Sequence, residues 1–467
     1  MASHETDYLI IGAGAVGLAF ADTLLAETDA HITLIDRHGK PGGHWNDAYP
    51  FVALHQPSAF YGVNSMPLGT NRKDTFGSNE GCYELASGAE VSSYFDKVMH
   101  QSMLPSGRVS YYPMSNYLGD GRFVSLLSGN ETHVTVRKKT VDATYYGTTV
   151  PSTHTPKYKV ADDAWLVTPN GLAQLWQGKQ KKPKQFAIIG AGKTAMDVSV
   201  WLINSGALPD SISWVMPRDS WLINRLTTQP GMEFFDHAIG GQAMQMEAFA
   251  KATSVDDLFE RLEACEVMLR IYPDHKPSMF HYATMSKGEI EVLRKIKNVI
   301  RLGHVQAVGR DALQLERGSV ALAQDTVCID CTASAVERRP TLPIFQGDKL
   351  TLQLVRMPLA TFSAALVAYV EAHHDDDAVK NKLCTPVPFP DGLSMYPRST
   401  MVSMMNQLAW NQDKTLRTWI HHSRLDGFGK IIASVDPTDF EKMTILEKFK
   451  NNAKAAMANL PKLMAEA

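Results

Sequence analysis

The chain carries 5 cysteines in 467 residues, an odd and sparse set that argues against a disulfide framework and for a reducing compartment. It also lacks an excess of either charge. Its 46 basic and 49 acidic residues leave −3, so there is no polybasic footprint for nucleic acid or for an anionic membrane surface. Long apolar runs are missing too: the longest, Leu9 to Ala21, is too short to span a bilayer. The opening MASHETD has no basic-then-apolar leader pattern. These absences lead to the expectation of a cytoplasmic protein with no membrane span and no nucleic-acid partner.

What is present is an ordinary globular composition, 44% hydrophobic and 20% charged, over a length that suits two or three domains. The most informative stretch is Asp7 to Asp36. Tyr8 to Ile11 reads as a buried parallel strand, and Gly12-Ala13-Gly14-Ala15-Val16-Gly17 follows without a gap. Gly12 allows the tight turn, Gly14 lets the backbone approach a pyrophosphate, and Gly17 lets the next helix pack on the strand. The helix N-terminus then offers free amides to phosphate. His31 to Ile35 is a second strand, ending in Asp36, a carboxylate placed to accept ribose hydroxyls, with Arg37 beside it in the same cofactor-binding group.

A second unit of the same kind begins at Lys184. Gln185 to Ile189 is a strand, Gly190-Ala191-Gly192-Lys193-Thr194-Ala195 opens a helix, and Ile212 to Met216 is the next strand. Alanine in the third small position still permits close packing. This strand ends in Pro217-Arg218 where an NAD site would have an acid, and an arginine there can grip a 2′-phosphate, which favours NADPH.

Between the two units lie Gly42-Gly43-His44-Trp45 and then Tyr49-Pro50-Phe51…His55…Tyr61. On these residues the chain resembles the flavin-containing and Baeyer–Villiger monooxygenases, whose G-G-x-W and Y-P-G…D…Y elements lie along the flavin. Phe51 stands where that family has glycine, and His55 where Baeyer–Villiger enzymes have an acid. The resemblance implies an α/β fold of two Rossmann-like dinucleotide-binding domains, the FAD domain discontinuous, the NADPH domain inserted, with a helical C-terminal region. The expected boundaries are 1–165 and 302–467 for FAD and 166–301 for NADPH, the latter with a helical insertion at 220–285. The FAD residues are Gly12, Gly14, Gly17, Asp36, Arg37, Gly43 and Trp45; the NADPH residues are Gly190, Gly192, Ala195 and Arg218.

The implied chemistry is NADPH-driven reduction of FAD, then transfer of one oxygen atom from O2, through a flavin hydroperoxide, to a heteroatom or carbonyl carbon of a small organic substrate. His55 and Asn64 are the candidate catalytic residues. The family's F-x-G-x-x-x-H-x-x-x-[YF] signature is absent, since 160–175 reads VADDAWLVTPNGLAQL. An NAD(P)H-dependent reductase without oxygen insertion, or a flavoprotein with only a binding role, therefore stay as alternatives.

Phe123 to Leu127 and Thr132 to Val136 read as a hairpin across Ser128-Gly129-Asn130. It leads into Val141-Asp142-Ala143-Thr144, part of an interdomain crossing in related flavoenzymes. Ser286-Lys287-Gly288-Glu289 has the form of a capping box, and 305–322 that of a small meander. Asp325 to Ser334 is expected to return the chain to the first domain. Its Cys328 and Cys331 fall on opposite faces of a strand and are read as structural rather than as a dithiol site. His373 to Asp377 is read as a solvated helix end, with no metal expected. Met395, Met401, Met404, Met405 and Trp410 are read as core before pocket. The tail from Asp436 to Ala467 is an amphipathic helical region that covers an edge or joins a partner subunit as a homo-oligomer.

Overall fold

A computed structural model describes residues 3–177, 182–334 and 336–466. The first sheet is built on the strand Ser3–Ile11, flanked in parallel by Ile32–Ile35 and by Glu131–Asp142. Val109–Tyr112 and Lys349–Thr351 extend it on either side, also in parallel. The expected hairpin forms from Arg122–Ser125 and the start of Glu131–Asp142. The helix Ala15–Glu27 packs between the sheet and the almost wholly buried helix Ala360–His373. Such a helix, apolar on every side, is stable only inside a core.

The second sheet repeats this plan. Gln185–Ile189 lies at its centre, flanked in parallel by Ile212–Val215 and Thr326–Asp330, with Asn298–Ile300 and Leu166–Val167 at the edges. The segment expected to rejoin the first fold, Asp325 to Ser334, thus belongs to the second, and the 302 boundary fails there. Its register, Thr326 opposite Gln185 through Asp330 opposite Ile189, fills the place beside the central strand that Glu131–Asp142 fills in the first sheet. Cys328 and Cys331 pack into cores on opposite faces of this sheet. Burial pushes the Cys328 thiol up to about 12, so neither is a ready thiolate.

The insertion at 220–285 is not purely helical. Ser220–Asn224, Met268–Leu269 and Met279–Met285 form a three-stranded sheet beside the helices Phe235–Lys251 and Val255–Ala264. The strand residues alternate too weakly to show a period of two, because both faces are covered. The capping box at Ser286 and Glu289 is present. The meander Val305–Val308, Ala312–Leu315, Gly318–Ala321 is also present.

In the C-terminal region, Trp410 is buried and donates through Nε1 to Leu383 O at 2.6 Å. Met405 is exposed, so the methionine group is core only in part. His373 pairs with Glu27, while His374 pairs with Asp413. The tail helix Phe440–Ala465 lies along Phe235–Lys251, where Asn452 donates to Ala243 O and Asn459 to Phe249 O and Ala252 O. It covers the insertion; Ala467 lies outside the described residues. Among the described residues, no helix is long and apolar enough to cross a membrane.

Candidate functional site

The first glycine turn is dictated by sterics. Gly12 holds φ at +101°, and a Cβ on Gly17 would lie 2.0 Å from the Gly12 carbonyl oxygen. Strand and helix are thus closer than any side chain permits. Gly14 begins the helix without a side-chain cap, leaving its first amides for an anion. Asp36 reaches back from the end of its strand, accepting from Ala13 N at 2.6 Å. Gly43 lies on the turn, where a Cβ would come 2.9 Å from Gly14 Cα, and Gly42 N donates to Ala13 O. Trp45 Nε1 donates to Tyr61 Oη at 2.8 Å, with His44 stacked on the indole. Arg37 is exposed. These residues fit a dinucleotide: a glycine cradle, uncapped helix amides and a carboxylate with a free lone pair.

The second turn follows the same geometry. Gly190 holds φ at +124°, its Cβ position 2.6 Å from Cys331 O, and Ala195 is fully buried. Gly192 differs from its neighbour: nothing lies within 4 Å of a Cβ built there. Its small size serves no contact within the protein, as expected where a ligand backbone passes. Arg218 is exposed just beyond Val215. Burial lowers the pKa of His281, Asp391 opposes the fall, and Arg218 and Arg338 add to it.

One signal went unread in the sequence. Asp142-Ala143-Thr144 and Asp330-Cys331-Thr332 are the same motif in the two folds. In each, the aspartate Oδ1 accepts from the threonine amide and hydroxyl, at 2.8 and 2.7 Å in the first and 3.0 and 2.6 Å in the second. Each closes against the first glycine of its own fold: Thr144 against Gly12, Cys331 against Gly190.

The two turns are joined by residues 47–55. Asn170 Nδ2 donates to Asp47 O and Ala48 O. Tyr49 donates to Asp197 Oδ2 at 2.8 Å, and Asp197 also pairs with Lys193, one helical turn back. Phe51, the departure from the family glycine, stacks on Trp201 with ring centroids 4.5 Å apart. Arg225, wholly buried, donates to His55 O at 2.8 Å and to Glu289 Oε2 at 2.9 Å. The His55 ring is reached by solvent. Crowding by protein atoms, and then the charges of Lys193 and Arg225, push its pKa below the ordinary value.

Asn64 is placed elsewhere. Its Oδ1 accepts from Ser423 Oγ at 2.8 Å, and its neighbour Ser65 is anchored on Asp22. Asp22 lies eight residues past Gly14, about 12 Å along the helix from its phosphate-facing end. In this geometry the Asn64 side chain is engaged with Ser423. Arg424, which the sequence did not single out, donates to Ala59 O at 2.6 Å, Val63 O at 2.8 Å and Tyr61 O. It fixes the loop that carries Tyr61.

Residues 10–67 match the family described as an NAD(P)-binding Rossmann-like domain. Uncharacterized protein Rv2000 of Mycobacterium tuberculosis (strain H37Rv) is 45% identical over 460 residues, covering 98% of this chain and 84% of that protein. Uncharacterized protein Mb2023 of Mycobacterium bovis gives the same values, 45% over 460 residues with 98% and 84% covered. Among solved structures, polycyclic ketone monooxygenase from the fungus Thermothelomyces thermophila superposes with a TM-score of 0.52 at 13% identity, over 100% of this chain and 88% of that one. Cyclohexanone-bound cyclohexanone monooxygenase superposes with a TM-score of 0.50 at 13% identity, over 88% and 99%. At such identity the likeness is one of fold.

Proposed function

The chain belongs to one family with these mycobacterial proteins and has the fold of the flavin-dependent ketone monooxygenases, and from that premise we propose that it is an FAD-dependent, NADPH-reduced monooxygenase. The net reaction is substrate + O2 + NADPH + H⁺ → oxygenated substrate + H2O + NADP⁺. The observation that carries the reading is the approach of the two glycine turns through Tyr49–Asp197 and Phe51–Trp201. A bound flavin supplies the passage between a two-electron donor and dioxygen.

The chain's own residues do the rest. Gly12, Gly14, Gly17, Gly43 and Trp45 shape the first cradle, and Asp36 with Arg37 holds the adenosine end. Gly190, Gly192 and Ala195 shape the second, and Arg218 takes the 2′-phosphate. His55, on the segment that joins the two turns, is the imidazole proposed to hold or pass a proton where the two cofactors would meet.

The test is anaerobic reduction of the flavin-loaded protein by NADPH and by NADH, followed by turnover under labelled oxygen with a panel of ketones and sulfides. Label in the product supports the proposal; reduction by NADPH with no label in any product moves the chain to the reductase reading that the missing signature at 160–175 favours. Arg218→Ala is expected to raise KM for NADPH roughly 10- to 100-fold, as loss of a charge-assisted contact should, and to leave KM for NADH unchanged.

A further inference from the structure

His38 lies between two carboxylates. Its Nδ1 is 2.8 Å from Asp36 Oδ1 and its Nε2 is 2.8 Å from Asp47 Oδ2. Ionised carboxylates only accept, so both ring nitrogens must carry a proton and the ring is an imidazolium. A neutral ring in either tautomer would set a lone pair against one of the two acids.

The surroundings fix what this cation can do. Asp36 is 7% exposed and already accepts from Ala13 N at 2.6 Å and from His38 N at 2.7 Å. With His38 Nδ1, three of its roughly four lone-pair directions are used, leaving one for a ribose hydroxyl. Asp47 ends the short helix Gly43–Asp47, the segment that lies on the first glycine turn. Its backbone carbonyl accepts from Asn170 and from Ser152. The other titratable groups facing this site are Arg37, exposed; His44, whose burial outweighs the pull of Asp47 and lowers it to about 4; and Tyr111, raised by burial and by Asp36. Met114, whose amide donates to His38 O, lies in a turn, Pro113-Met114-Ser115, that brings no charge.

We propose that His38, shared as an imidazolium between Asp36 and Asp47, is a positioning residue for the flavin adenosine: it orients the ribose-binding acid and ties it to the segment that closes over the dinucleotide turn. This rests on the reading of the first fold as the FAD site. When the ring loses its proton one carboxylate loses its donor, and either the acid or the Gly43–Asp47 segment is released. The hydrogen bond to Asp36 raises the His38 pKa, burial opposes it, and Asp47 adds to the rise, leaving the pKa above 6.5. The hold is therefore complete below 6.5 and is lost as pH rises through the higher folded-state value.

The experiment is flavin release from the holoprotein after rapid dilution, followed by flavin fluorescence between about pH 5.5 and 9, bracketing the histidine titration. Wild type should release slowly at low pH and roughly tenfold or more faster at high pH, the effect of losing one charge-assisted hydrogen bond. His38→Asn should release fast throughout. Asp47→Asn should release slowly at every pH, because the introduced amide donates to Nε2 and a neutral ring keeps its Nδ1–H on Asp36. Selective nitrogen-15 labelling of histidine gives a second readout: both His38 nitrogens should stay protonated through neutral pH. Flavin retained with pH-independent release in wild type, or a His38 titration at or below the ordinary value, overturns the proposal. A protein that takes up no flavin overturns the reading of the first fold itself.

Discussion

Arg225 is the residue whose removal should cost most. It has no exposed surface and gives its donors to Glu289, Thr284 O and His55 O. Arg225→Met would leave Glu289, itself 7% exposed, as a buried carboxylate without its partner. The expected loss is about 3–5 kcal/mol, read from urea denaturation. The pair also has a definite pH behaviour. Burial pushes the Glu289 carboxyl up, but Arg225, Lys193 and the Ser286 amide outweigh it and hold the group at about 2 against an ordinary 4.5. Its contribution is complete above 4.5 and disappears as pH falls through about 2. Acid unfolding of the wild type should show this step, and Arg225→Met should lack it.

The two glycine-turn elements carry glycines for opposite reasons, and substitution separates them. In Gly17→Ala the new methyl would meet the backbone oxygen of Gly12, which cannot move without pulling the strand from the helix. The variant should lose about 3 kcal/mol or more and bind no flavin. In Gly192→Ala the methyl enters open space at φ −84°, a conformation any residue adopts. Stability should stay within about 1 kcal/mol, while KM for NADPH rises roughly tenfold, the effect of a methyl against a closely seated ligand. Thermal melts beside steady-state kinetics check both. Equal melting points for the two variants would remove the distinction drawn between packing and ligand approach.

At the scale of the whole molecule, side chains from residues 47–55 are among the contacts by which the two folds meet. Phe51, unexpected against the family pattern, stacks on Trp201 of the helix that follows the second glycine turn. Phe51→Gly should leave flavin content unchanged and slow anaerobic reduction by NADPH about tenfold, since a small misplacement of two reacting groups costs that much. An unchanged reduction rate would show that the stack does not set the spacing. The duplicated Asp-x-Thr closure at Asp142 and Asp330 shows that each fold seals its own turn from its own crossing strand.

The strand–glycine–helix–strand units, Asp36 and Arg218 as strand-end residues, the hairpin and the capping box were all legible in the sequence. Each rests on contacts between residues close along the chain, where composition and spacing already carry the sterics. The tertiary structure alone decided which sheet takes Thr326–Asp330, since an apolar strand states that it is buried but not beside what. It also decided that Asn64 serves Ser423 and the far half of a helix, that Phe51 finds Trp201, and that His38 finds Asp47 as well as Asp36. Those pairings depend on where turns bring separate segments together, and no local period or spacing encodes that.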